Sequence, residues 1–144
     1  MRSLAVTATL LLALPTVILA QEEPQGMKWT DIEWYEVIEI DFKAGKAAAA
    51  IDLIEQQFRP TSRAAGTPLP VMILEHETGA WDLTVIWHRA EGPSFMEWQQ
   101  SPNNQKWWAK LVERAGGESA AQALWDEYQS YIARTNSYIA RKRT

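Results

Sequence analysis

The chain predicts an α+β domain in which helices cover one face of an antiparallel sheet. Three observations carry that expectation. Residues alternate with period two from Trp34 to Lys43, two β-rich runs are broken by Thr78-Gly79, and three later or intervening stretches space their apolar residues three and four apart. In chain order the elements read β-α-β-β-α-α.

The first strand places Ile38, Ile40 and Phe42 on one side and Tyr35, Val37, Glu39 and Asp41 on the other. Ala44-Gly45 breaks it, and a helix follows from about Lys46, with Ala47, Ile51, Ile54 and Phe58 on one face. Pro60 is expected to end or kink this helix, and Gly66 to close the region.

Leu69 to Glu77 and Trp81 to Arg89 read as a hairpin. Setting Glu77 against Ala80 puts Leu74 opposite Leu83 and Met72 opposite Val85. One face then carries Met72, Leu74, Leu83, Val85 and Trp87. The other carries Val71, Ile73, Glu75, Asp82, Thr84, Ile86 and His88. A slip of one residue would bring Asp82 and Thr84 beside apolar partners, so the pattern disfavours it.

Ser94-Phe95-Met96-Glu97 has the spacing of a capping box, and Ser101-Pro102 that of an N-cap followed by a first-turn proline. Trp107, Trp108, Leu111 and Val112 give the second of these helices its apolar side, and Gly116-Gly117 ends it. A last helix is expected from Ser119 to Arg141, its inward stripe running Ala121, Leu124, Trp125, Tyr128, Ile132, Thr135 and Ile139. Arg141-Lys142-Arg143 would then complement its dipole.

Ahead of this domain, Arg2 opens the chain and Leu4 to Leu19 is uncharged and apolar before the polar Gln21-Glu22-Glu23. That order is the pattern of a secretory signal peptide. At about 16 residues the run is short for a membrane span, which needs about 20. The expected organisation is a signal peptide over 1–20, a polar leader over 21–32 and one domain over 33–144. A periplasmic or secreted protein follows, with no stable membrane span after cleavage.

Removing residues 1–20 from the 144 leaves 124, enough for a core of ordinary size. Thirteen Lys and Arg then stand against 18 acids, a balance that disfavours nucleic acid, whose phosphates need clustered cations. The chain has no cysteine, so neither disulfides nor thiolate chemistry contribute. Its eight tryptophans each bring about 150–250 Å² of surface to bury, and core packing is their expected use.

Catalytic signatures are absent from the sequence. Only His76 and His88 supply imidazoles, and the register above points them to opposite faces, so no metal site is expected. Gly117-Glu118-Ser119-Ala120-Ala121 lacks the final glycine and the preceding strand of a nucleophile elbow. Neither a phosphate loop nor an HExxH pair occurs, and no cofactor is expected. The remaining candidate is the sheet face away from the helices, which mixes Val37, Ile73 and Ile86 with Tyr35, Glu39, Glu75, Asp82, Thr84 and His88. Such a mixture suits a dimer interface around a small pocket. His88, with Tyr35, Glu39 and Thr84, is the expected ligand-binding group.

Strand 34–43, helix 46–63, hairpin 69–89 and the helix after it resemble the ferredoxin-like half of the dimeric α/β-barrel superfamily, over roughly residues 34–116. The resemblance implies an antiparallel sheet of order 1-3-2 with helices on one face, and a homodimer joined through the other. The chain departs from that pattern in placing a C-terminal helix where the family has a fourth strand. The expected function is an exported domain binding a small apolar or aromatic ligand. An oxidoreductase of the same superfamily, cofactor-independent or haem-using, and an interaction protein without a ligand are the alternatives.

Overall fold

A computed structural model describes Gly26 and residues 31–143, so the expected signal peptide lies outside the described residues. Four strands form one antiparallel sheet in the order β2-β3-β1-β4. They are β1 (Trp34–Phe42), β2 (Met72–Glu75), β3 (Leu83–His88) and β4 (Ile132–Arg141). Helices α1 (Ala47–Leu53), α2 (Arg59–Ala65), α3 (Pro102–Ala115) and α4 (Glu118–Tyr131) accompany it. A π-helical turn, Ile54–Phe58, joins α1 to α2, and a 3₁₀ segment, Gly92–Glu97, precedes α3.

The core follows from the alternation in β1 and β3. Ile40, Phe42, Leu83 and Val85 pack against Ala50 of α1, Phe58 of the π-turn, Leu111 of α3, and Ala121 and Tyr128 of α4. Leu83 and Leu111 are each 1% exposed. Burying such a side chain contributes about 1.5–3 kcal/mol. Half-buried Trp87, Trp107, Trp108 and Trp125 surround this centre. Ser101 caps α3 by accepting from the Asn104 N–H at 3.1 Å, and Gly116 ends it in the left-handed region.

Five sequence expectations are corrected. The stretch Ile132–Arg141 is a strand, not the second half of a helix, and it pairs with β1 from Trp34↔Arg141 to Phe42↔Ile132. Its Thr135, Tyr138 and Ile139 suit a pleated surface, and pairing satisfies the β1 edge that three strands would leave open. The basic residues at its end, Arg141 to Arg143, therefore cap no helix; Lys142 instead pairs with Glu33 at 2.9 Å.

The hairpin adopts the slipped register: Ile73 faces Val85 and Leu74 faces Thr84. The reason lies in the connection. The Asp82 carboxylate accepts from the Phe42 N–H at 2.8 Å, and the His76 N–H donates to the Asp82 carbonyl at 2.9 Å. The turn thus spans residues 77–81, longer than the tight turn at Thr78-Gly79. Ile73 moves to the helix-covered face, and Met72 and Leu74, 49% and 46% exposed, go to the open one.

The same shift puts His76 on the open face, where its Nε2 lies 2.8 Å from Thr84 Oγ1, so the two histidines do not point to opposite faces. Finally, Ser94 lies inside the 3₁₀ segment, its hydroxyl donating to the Glu91 carbonyl at 2.7 Å, and caps nothing.

Candidate functional site

The chain builds a cavity of about 570 Å³ on the helix-covered side of the sheet. Ile38, Ile40 and Val85 line it from the sheet, continuing the apolar phase of β1 and β3. Ile54 and Phe58 line it from the π-turn, and Trp107, Trp125 and Tyr128 from α3 and α4. Phe95, Met96 and Trp98 come from the segment before α3, where Met96 and Trp98 are 62% and 57% exposed.

Local sequence explains how the helical wall is shaped. Pro60 lacks an N–H and clashes with a regular preceding turn. Here the helix does not end; it widens to the π-turn, a feature common at functional sites. Thr61 Oγ1 donates to the Gln57 carbonyl at 2.7 Å and Ser62 Oγ to the Phe58 carbonyl at 3.2 Å, supplying bonds to these carbonyls. Phe58 then meets Trp107, Trp125 and Tyr128 at ring-centroid distances of 5.6, 5.9 and 5.3 Å.

Gly92 shapes the other wall. It is buried with φ +64°, and a Cβ there would stand 3.3 Å from the Trp34 ring. Only glycine turns in that space without strain. The turn brings Phe95 to Arg89, whose guanidinium carbon lies 4.4 Å from the ring centroid.

An ion pair, Glu36–Arg89, interrupts the apolar lining, to which Arg59, Glu91, Asn103 and Asn104 also contribute polar groups. Arg89 Nε donates to Glu36 Oε2 at 3.2 Å, Arg89 Nη2 donates to the same oxygen, and Ser137 Oγ donates to Glu36 Oε1 at 3.1 Å. The two side chains are only 25% and 15% exposed. Trp87 also lies beside the guanidinium, at 5.8 Å. Tyr128 is a further polar group: burial pushes its phenol up to about 12, so it is a neutral donor at ordinary pH.

The four residues expected from sequence lie together on the open face, and none of them lines this cavity. Tyr35 pairs with His88 across β1 and β3, their rings 5.5 Å apart, and Glu39 pairs with Thr84. Each is engaged locally. Tyr35 donates to Glu33 at 2.7 Å, Asn136 donates to Glu39 at 3.1 Å, and Thr84 meets His76. The Lys142 hydrogen bond, then that of Tyr35, holds the Glu33 carboxyl below its usual range. Glu33 in turn raises both Tyr35 and Lys142. Among the described residues no cluster of three or more His, Asp and Glu could hold a metal.

Sequence reasoning missed Glu36, Arg89 and Tyr128. One signal was available: Glu36 is a charged residue in phase with Ile38, Ile40 and Phe42, on the side otherwise given to the core.

No protein-family model matches the chain, and no curated protein does. Solved structures do. A NIPSNAP family protein of unknown function from Agrobacterium tumefaciens superposes with a TM-score of 0.50 at 15% identity, over 76% of this chain and 87% of that one. The fold is similar to that of NIPSNAP proteins. An uncharacterised NIPSNAP-like domain protein from Burkholderia xenovorans gives a TM-score of 0.51 at 14% identity, covering 78% of this chain and 86% of its own. At such identity the likeness to NIPSNAP structures extends to the α+β fold and its sheet, and not to the residues of the cavity.

Proposed function

We propose that the chain is an exported protein that binds a small aromatic ligand in the cavity between sheet and helices. The observation that carries this reading is the cavity itself: about 570 Å³, lined by aromatic side chains from both layers, with the Glu36–Arg89 ion pair and a few further polar side chains among them. Ligand sites have this size and this composition of apolar walls with few polar groups. The apolar segment Leu4 to Leu19 supports export. Protein recovered from the native host should begin close to Gln21 by intact mass.

In the same reading the open face packs on a second copy, each chain supplying a ferredoxin-like half of a dimeric α/β barrel. A row of apolar side chains, Tyr138–Val37–Ile86–Met72, crosses that face through all four strands. His88, Tyr35, Glu39 and Thr84 then lie where the two faces meet.

Tryptophan fluorescence tests the cavity. Naphthalene should quench it saturably. Trp107→Phe, which removes an indole lining the cavity, should diminish the quenching; Trp108→Phe, outside the lining, should not. Absence of saturation, or equal responses from the two variants, would overturn the reading.

A further inference from the structure

The polar groups of the cavity narrow the ligand beyond an aromatic ring, an inference that rests on the cavity reading above. Arginine carries five N–H donors. Among the described residues the Arg89 guanidinium has one acceptor, Glu36, which receives two of them on a single oxygen. The other Glu36 oxygen is already taken by Ser137. The pair therefore has spare donors and a carboxylate whose two oxygens are both engaged. Tyr128 adds to the imbalance: its hydroxyl has no hydrogen-bond partner among the described residues, and it too lines the cavity.

A cationic ligand is poorly matched to this arrangement. Beside Arg89 it would need a Glu36 oxygen already engaged and would face the guanidinium charge at close range; the lining holds one further carboxylate, Glu91, and one further cation, Arg59. The guanidinium itself already occupies the aromatic faces of Phe95 and Trp87. An acceptor oxygen meets no such competition. Among acceptors a carboxylate fits best, because its two oxygens match the planar fork of a guanidinium.

We infer that the cavity takes a planar aromatic carboxylate, its ring among the tryptophans and Phe58 and its acid group on the spare N–H donors of Arg89. Glu36 orients the guanidinium and at the same time competes with the ligand for it.

Three probes of one ring size decide the matter: naphthalene, 2-naphthoate and 2-naphthylmethylamine, titrated against the full chain by fluorescence. The naphthoate should bind at least about tenfold tighter than naphthalene, the effect of roughly one charge-assisted hydrogen bond. Arg89→Met should remove that advantage while naphthalene still binds. Glu36→Gln, which removes the competing anion and keeps a hydrogen-bonding side chain, should tighten the naphthoate several-fold. Naphthalene binding doubles as the check that each variant is folded; should Arg89→Met fail it, Glu36→Gln decides alone.

Naphthalene binding without a naphthoate advantage would overturn this inference and leave the cavity reading standing. So would tighter binding of the amine, or weaker naphthoate binding in Glu36→Gln. Binding of none of the three would overturn both readings.

Discussion

Single positions on the strands decide which side chains reach the core. Leu83 and Leu74 are both hairpin leucines, yet one is 1% exposed and the other 46%. Leu83→Ala should destabilise the fold by about 2–5 kcal/mol, the range for large-to-small core changes. In the monomer, Leu74→Ala should change it by less than about 0.5 kcal/mol, as surface substitutions do. Denaturant melts of the two variants check this, and equal losses would point to the other register. Tyr128 gives a pH dependence. Burial raises its folded-state value from 10.0 to about 12. A raised value means that the fold retains the proton, so the contribution is complete below pH 10 and is lost as pH rises through 12. Phenolate absorbance should therefore show a late step near pH 12 that Tyr128→Phe lacks, and the variant should lose less stability across that interval.

Elements show where one-dimensional pattern reaches its limit. The β1 alternation was legible because its inward residues meet a continuous apolar wall. The π-turn was half legible: Pro60 announced a departure from regular helix, but whether the helix ends or widens depends on what packs against it. Residues 132–141 were misread because Ala121, Leu124, Trp125 and Tyr128 form a true helical stripe, and Ile132, Thr135 and Ile139 extend its spacing by coincidence. Only the open edge of β1 makes the strand preferable. Amide exchange tests the assignment. In an edge strand alternate N–H groups point at the neighbour, so β4 should show alternating protection from Ala133 to Ala140. Unbroken protection across that span would indicate a helix.

At the scale of the whole molecule the sheet has two unlike faces. Helices cover one and wall the cavity against it; the other exposes Met72, Leu74 and Tyr138 beside Val37 and Ile86. In the dimer proposed above this contiguous apolar surface is the interface, the use such patches commonly have. A dimer joined through it should be visible by light scattering, and Val37→Arg, which puts a charge at the centre of the row, should give a monomer. Naphthalene binding should survive in that monomer, because the cavity lies on the opposite face. A Val37→Arg variant that stays dimeric would move the interface elsewhere.

The sequence by itself determined the α+β class, the inward residues of β1 and β3, the caps of α3 and the position of the uncharged apolar run. Each of these rests on local chemistry: side-chain period, an N-cap hydroxyl, a glycine in the left-handed region, a run without charge. The expected group His88, Tyr35, Glu39 and Thr84 was correctly gathered on one face for the same reason, since strand period alone assigns faces. Tertiary structure decided the rest. The hairpin register turned on a bond between Asp82 and the distant Phe42 N–H, and β4 on the edge offered by a strand about a hundred residues earlier. The cavity arises where two layers fail to close, and its ion pair joins Glu36 to Arg89, which are 53 residues apart. No local period encodes such a pair, because it exists only once both layers are in place.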